Sequence, residues 1–164
     1  MSQLLNIAMR AQGRADALEF ASRAPNLNGT EIISEEEKAP AWSSTADYST
    51  AAPGVPVSDS GQVWILLVPH RAADYQGRPA NLRSLWGLAH TKDPAKAKPW
   101  VASYGTSGLY MSGECCTYTN PADGLEHVNR CTVDNNDFPP YTLNAESRWE
   151  DLGLAPYIPT QNGG

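Results

Sequence analysis

Leu4, Ala8, Ala11, Ala15 and Leu18 recur at spacings of three and four residues, the period of one face of an α-helix. Good helix formers surround them, and Pro25 stops the run. The pattern predicts a helix over 4–24 and an N-terminal helical segment at 1–25. Its apolar stripe is narrow and mostly alanine, which suits close packing but is thin for nucleating a core. It reads either as a core-facing helix or as a helix that docks on a partner.

Periodicity then disappears. Residues 26–60 are rich in Pro, Ser, Thr and Ala and hold neither a helical nor a strand period, as in a linker or an arm ordered by another surface. Trp42 and Tyr48 stand alone among small residues, and Ile32 and Ile33 form a small apolar step. A linker with no docking role has little need of them. The expectation is an extended arm that lies across a surface, the chain's own or a partner's.

The apolar pattern resumes at GQVWILLVPH, from Gly61, a run bounded by Gly and Pro that predicts a buried strand. ANLRSLWGLAHT predicts a short helix or irregular segment, with Leu82, Leu85, Trp86 and Leu88 as core candidates. WVASYGTSGLYMSG alternates only patchily. ECCTYT and EHVNRCTV are strand candidates on either side of the turn signal NPADG. DFPPYTLN must be extended or turning. AESRWEDLG predicts one or two helical turns stopped at Gly153, and the irregular tail carries apolar hooks at Leu154, Tyr157 and Ile158. These elements predict an α+β, β-rich small domain of antiparallel strands and short helices at 61–153. It carries an extended N-terminal helix-plus-arm and a tail at 154–164.

Composition narrows the function classes. The 164 residues are 41% apolar and 18% charged, with five Trp and seven Tyr against two Phe. Trp and Tyr suit half-wet surfaces and interfaces. Net charge is −6 and segmented. Residues 1–69 hold four Lys/Arg and eight Asp/Glu, 70–98 hold six and two, and 99–164 hold two and eight. The basic middle segment reads as a solvated face rather than a phosphate site, and the acidic total argues against nucleic acid as a partner. No apolar run is long enough to insert in a membrane, and the start lacks the pattern of a secretory signal. The expected location is the cytoplasm or a virion assembled there.

All three cysteines lie in GECCTYTNPADGLEHVNRC, residues 113–131, with His127. Zinc would need four ligands, but adjacent Cys115 and Cys116 on a strand point to opposite faces, leaving one of them with His127 and Cys131. A disulfide needs Cβ atoms within about 4.5 Å, and a plain hairpin about NPADG sets Cys116 near Val128 and Cys131 near Gly113. Acidic Glu114, Asp123 and Glu126 disfavour a nucleophilic thiolate. The reading the sequence favours is three small buried hydrophobes. Ser107 between glycines is not a nucleophile elbow, and His127 with Asp134 makes only the kind of trio any chain supplies. No cofactor or metal is expected.

Two functions follow. The first is a non-enzymatic structural or assembly protein that binds neighbouring protein subunits through Leu4, Ala8, Leu18, Ile32, Trp42 and Tyr48, as part of an oligomer or hetero-assembly. This architecture suits virion components such as capsid cement, connector or tail accessory proteins. The alternative is a small enzyme or ligand-binding domain with a site near Ser107, His127 and Arg130.

Overall fold

The computed structural model describes residues 2–143 and 147–159. The fold is α+β and β-rich, with a long N-terminal helix and, among the described residues, seven strands in two small sheets. The chain divides into two compact units, Met1–Ala89 and His90–Gly164.

In the first unit, α1 (Ser2–Arg23) realises the predicted helix. Its last turn inserts Phe20 into a cluster with Ile32, Ile33, Ala39, Val63 and Ala89. Arg23 bridges Glu19 and Glu35, and Lys38 also reaches Glu35 at 2.8 Å. The bonds from Arg23 and then Lys38 hold the Glu35 carboxyl down to about 2. Helix α2 (Gly29–Ser34) follows. It starts where Asn28 caps it: the Asn28 side chain accepts from the Glu31 N–H at 2.9 Å, and Glu31 accepts from the Asn28 N–H at 3.0 Å, a reciprocal capping box.

Strands β1 (Pro56–Asp59), β2 (Gln62–Leu66) and β3 (Trp86–Leu88) form an antiparallel sheet in that order. Asp59 pairs with Gln62 across Ser60 and Gly61, which have φ of 52° and 77°. Two consecutive left-handed residues give the two-residue turn whose twist matches a hairpin. The continuous apolar run of β2 is explained by burial on both faces. Val63 joins the Phe20 cluster, while Trp64 and Leu66 join Val57, Leu85 and Trp86.

The segment 26–60 therefore differs from the expected arm without regular structure. It carries α2, a 3₁₀ turn at Glu36–Lys38 and β1, and it supplies core residues to the first unit. The boundary falls after Ala89 rather than near residue 60. Local periodicity could not show this, because the segment's apolar groups are isolated and meet the rest of the core only through tertiary packing.

In the second unit, β4 (Lys98–Pro99), β5 (Cys115–Thr119), β6 (Glu126–Cys131) and β7 (Trp149–Leu154) form the other sheet in that order. β4 pairs parallel with β5 and the remaining pairs are antiparallel. The β5–β6 hairpin folds about NPADG as expected, with Asn120 accepting from the Ala122 N–H and Asp123 from the Leu125 N–H. Its core holds Tyr110, Cys116, Cys131 and Trp149. One expectation is corrected. The helical turns read at AESRWEDLG are strand β7 from Trp149 onward, because Trp149 is buried against Tyr110 and the backbone pairs with β6. Residues 144–146 of that stretch lie outside the described residues. WVASYGTSGLYMSG, whose alternation is patchy, holds the isolated bridges Tyr104 with Ser107 and Tyr110 with Asn136. The tail hook Leu154 belongs to β7, and residues 160–164 lie outside the described residues.

Candidate functional site

Two features stand out: a hydrogen-bonded cluster around His127 in the second unit, and the uncovered face of α1 in the first.

His127 sits on β6, opposite Tyr118 of β5 and Leu154 of β7, beside a bulge that separates it from Asn129. The bulge re-aims the pairing. Its Nδ1 meets Asp151 Oδ1 at 2.9 Å and its Nε2 meets Asp123 Oδ2 at 2.6 Å. Asp123 comes from the hairpin turn and Asp151 from β7. Asp151 also accepts from the Gly153 N–H at 2.8 Å and from the Tyr141 hydroxyl at 2.7 Å. The bonds to Asp151 and then Asp123 raise the His127 pKa. Burial pushes Asp151 up, but bonds from His127, the Gly153 N–H and Tyr141 outweigh it and leave the carboxyl lowered. Burial and then the Asp151 bond push the Tyr141 phenol to about 12.

This chemistry is that of a clamp. A general base needs a free ring nitrogen facing substrate while the other is oriented. Here both ring nitrogens face carboxylates, so the arrangement stabilises an imidazolium that ties the hairpin turn to β7. Ser107 is not brought to His127: it bonds backbone to backbone with Tyr104. Asp134 accepts from the Ser112 N–H instead. Arg130 lies opposite Glu150, 3.8 Å away. Two clefts of about 340 Å³ open on this unit, one along Pro94, Thr117, Val128 and Tyr157, the other along Trp100, Thr117 and Tyr118. Neither is lined by Ser107, His127 or Arg130.

The other histidines sit in aromatic surroundings. His70 packs edge-on to Trp86 and Tyr75 and bonds the Val68 carbonyl through Nδ1. His90 stacks on Tyr110 at 3.7 Å, and its Nδ1 faces Glu114 at 3.3 Å. Cys115, Cys116 and Cys131 are all buried and unpaired, and burial raises the Cys115 and Cys116 thiols. Cys116 faces Asn129, one residue from the expected register, while the Cys131 carbonyl accepts from the Gly113 N–H. Among the described residues, no three His, Cys, Asp or Glu side chains could hold a metal ion.

No protein-family model and no curated protein matches the chain. Its function has to be argued from its own residues.

The six anchor residues separate cleanly. Ile32 is 3% exposed in the core of its own unit. Trp42 and Tyr48 are half-buried against the Trp64–Trp86 cluster. Arg78 lies over the Trp42 ring, and Tyr48 packs edge-on to Trp86 at 5.1 Å. These three pack on the core of their own unit. Leu4, Ala8 and Leu18 are exposed, Leu4 by 75% and Leu18 by 73%. Every residue from Gln3 to Ala15 is exposed, including Leu5, Ile7 and Met9. No helix is long and apolar enough to cross a membrane among the described residues.

Sequence reasoning missed the clamp. Asp123 could have been found four residues before His127 across a turn. Asp151 could not, because it reaches His127 only once 149–154 is a strand paired with β6.

Proposed function

We propose that the protein is a non-enzymatic assembly protein that docks on a neighbouring protein subunit through the first half of α1. One observation carries this reading. Residues 3–15 are exposed on every side of a regular helix that nevertheless presents Leu4, Leu5, Ile7 and Met9. Helices of this length are marginal in water without tertiary packing, and Gly13 lowers the propensity further. A covering partner supplies the missing packing. The locked state of His127 also supports a binding role over the alternative of a catalytic site at Ser107, His127 and Arg130.

The test is hydrogen exchange on the full chain, diluted until it is monomeric. Residues 3–15 are expected to exchange near free-peptide rates, while α2, β1 and β2 are protected. Protection of 3–15 equal to that of β2 in the monomer would show that the helix needs no partner, and would overturn the reading.

A further inference from the structure

We propose that the second unit binds a methylated lysine side chain of a peptide, one that keeps an N–H, in the cleft between Trp100, Tyr118 and Glu126. This site does not rest on the docking reading of α1.

The two clefts of this unit, each of about 340 Å³, share Thr117 and Glu126, so they are two arms of one groove. Thr117 pairs with Val128 and Thr119 with Glu126, and strand alternation puts all four on one face of the β5–β6 hairpin. One arm is bounded by Pro99, Trp100 and Tyr118. The backbone brings Trp100 there: just past β4, its N–H donates to the Thr117 carbonyl at 3.0 Å. The Trp100 and Tyr118 rings stand at 87° to each other with centroids 6.0 Å apart. The other arm runs along Pro94, Ala97, Val128, Pro156 and Tyr157, and its only charge is the shared Glu126.

This lining selects the chemistry of the ligand. Neither arm holds a Lys or Arg, so a phosphate or carboxylate would find no counter-charge. Glu126 is exposed, and among the described residues its carboxylate has no ion pair or hydrogen bond. Thr117 is only 7% exposed, and its hydroxyl is buried without a partner. A ligand N–H would satisfy it. Residues 90–164 carry five Lys/Arg and nine Asp/Glu, a balance that draws in cations. A flat ring stacks on one aromatic face, whereas two rings at a right angle form a corner whose faces both attract a compact cation. An unmodified ammonium is strongly hydrated. Methyl groups reduce that hydration and keep the charge, while a remaining N–H bonds Glu126. The apolar arm takes the aliphatic stem and the peptide that carries it. A choline lipid brings a phosphate that neither arm can pair, so the peptide is the source that fits.

The experiment is an NMR titration of the isotope-labelled full chain, read at the Trp100 indole N–H. The probe is a short neutral peptide with one lysine in its unmodified, monomethyl, dimethyl or trimethyl form. The expected result is a saturable shift, with the monomethyl or dimethyl form tightest and the unmodified form about tenfold weaker. A peptide with a neutral carbon isostere of the dimethylammonium should not bind. Glu126→Gln, at an exposed position, should weaken binding several-fold. Glu150→Gln, at an exposed carboxylate outside both clefts, should leave it. Equal binding of the isostere would overturn recognition of the charge, and equal binding of unmodified lysine would overturn recognition of the methyl groups. Tightest binding by the trimethyl form would overturn the N–H bond. Unchanged affinity in Glu126→Gln would overturn the placement. A shift with choline-lipid vesicles but not with the peptides would overturn the peptide as source, and no shift with any peptide at millimolar concentration would overturn the site. Hydrogen exchange at 3–15 tests the docking reading separately, so the two can fail independently.

Discussion

Replacing Ile33 by alanine asks whether the segment 26–60 is part of a core. Ile33 has 0% exposure and sits among Phe20, Ile32, Ala39, Val63 and Ala89. The substitution removes three carbons at about 0.8 kcal/mol each, roughly 2.4 kcal/mol of transfer free energy. The surrounding groups come from α1, α2 and β2 and cannot all move in, so a cavity cost raises the total to about 3–4 kcal/mol, within the usual range for Ile→Ala. For a unit of this size each kcal/mol lowers Tm by about 4–8 °C, so unfolding should begin at least about 12 °C earlier. The assay is thermal unfolding by circular dichroism, with Leu4→Ala as internal comparison. Leu4 is 75% exposed, and its truncation should change monomer stability by no more than about 0.5 kcal/mol. A shift below about 4 °C for Ile33→Ala, or equal shifts for the two variants, would refute the packing of this segment on its own unit.

Three further outcomes are expected. The His127 pKa is raised in the folded chain, so its contribution to stability is complete below the unfolded value of about 6.5 and is lost as pH rises through the folded value. The Asp123 and Asp151 carboxyls are lowered, so their contribution is present above about 3.9 and is lost on acidification through their folded values. Urea midpoints should therefore fall on the alkaline side in the native chain and flatten in His127→Asn, and an unchanged slope in that variant would count against the clamp. A thiol reagent should find no rapidly reacting cysteine in the native protein and three after denaturation, whereas one after denaturation would mean a disulfide. Gly54 has φ of 101°, and a Cβ there would lie 2.8 Å from Pro25 Cα. Gly54→Ala should cost more than the roughly 1 kcal/mol by which Gly and Ala differ elsewhere, read from the same urea curves.

How much was legible in the chain depended on the range of the forces involved. Helix α1, the buried strand at Val63–Leu66 and the hairpin about NPADG rest on local period and turn chemistry, and all three were readable. Strands β1 and β3 are short, and they and β7 owe their form to the partners they pair with. Trp149 carried the decisive hint for β7, but its burial against Tyr110 joins residues far apart in sequence. The same limit hid the role of Ile32, Trp42 and Tyr48. Isolated apolar residues look alike whether they wait for another molecule or for the chain's own β2. Only the fate of the α1 stripe was posed correctly as an open question, because alanine spacing describes a face without saying what meets it.

The exposed first half of α1 also bears on how this protein can vary. From Gln3 to Ala15 no side chain is needed to keep the first unit folded, so selection for abundance hardly sees these positions. Val63 to Leu66, covered from both sides, is constrained at nearly every atom. A mutational scan scored for protein level would leave the first half of the helix almost silent. Scored for binding to a partner subunit it would mark the docking face alone, and the difference between the two maps would isolate that interface without a structure of the complex.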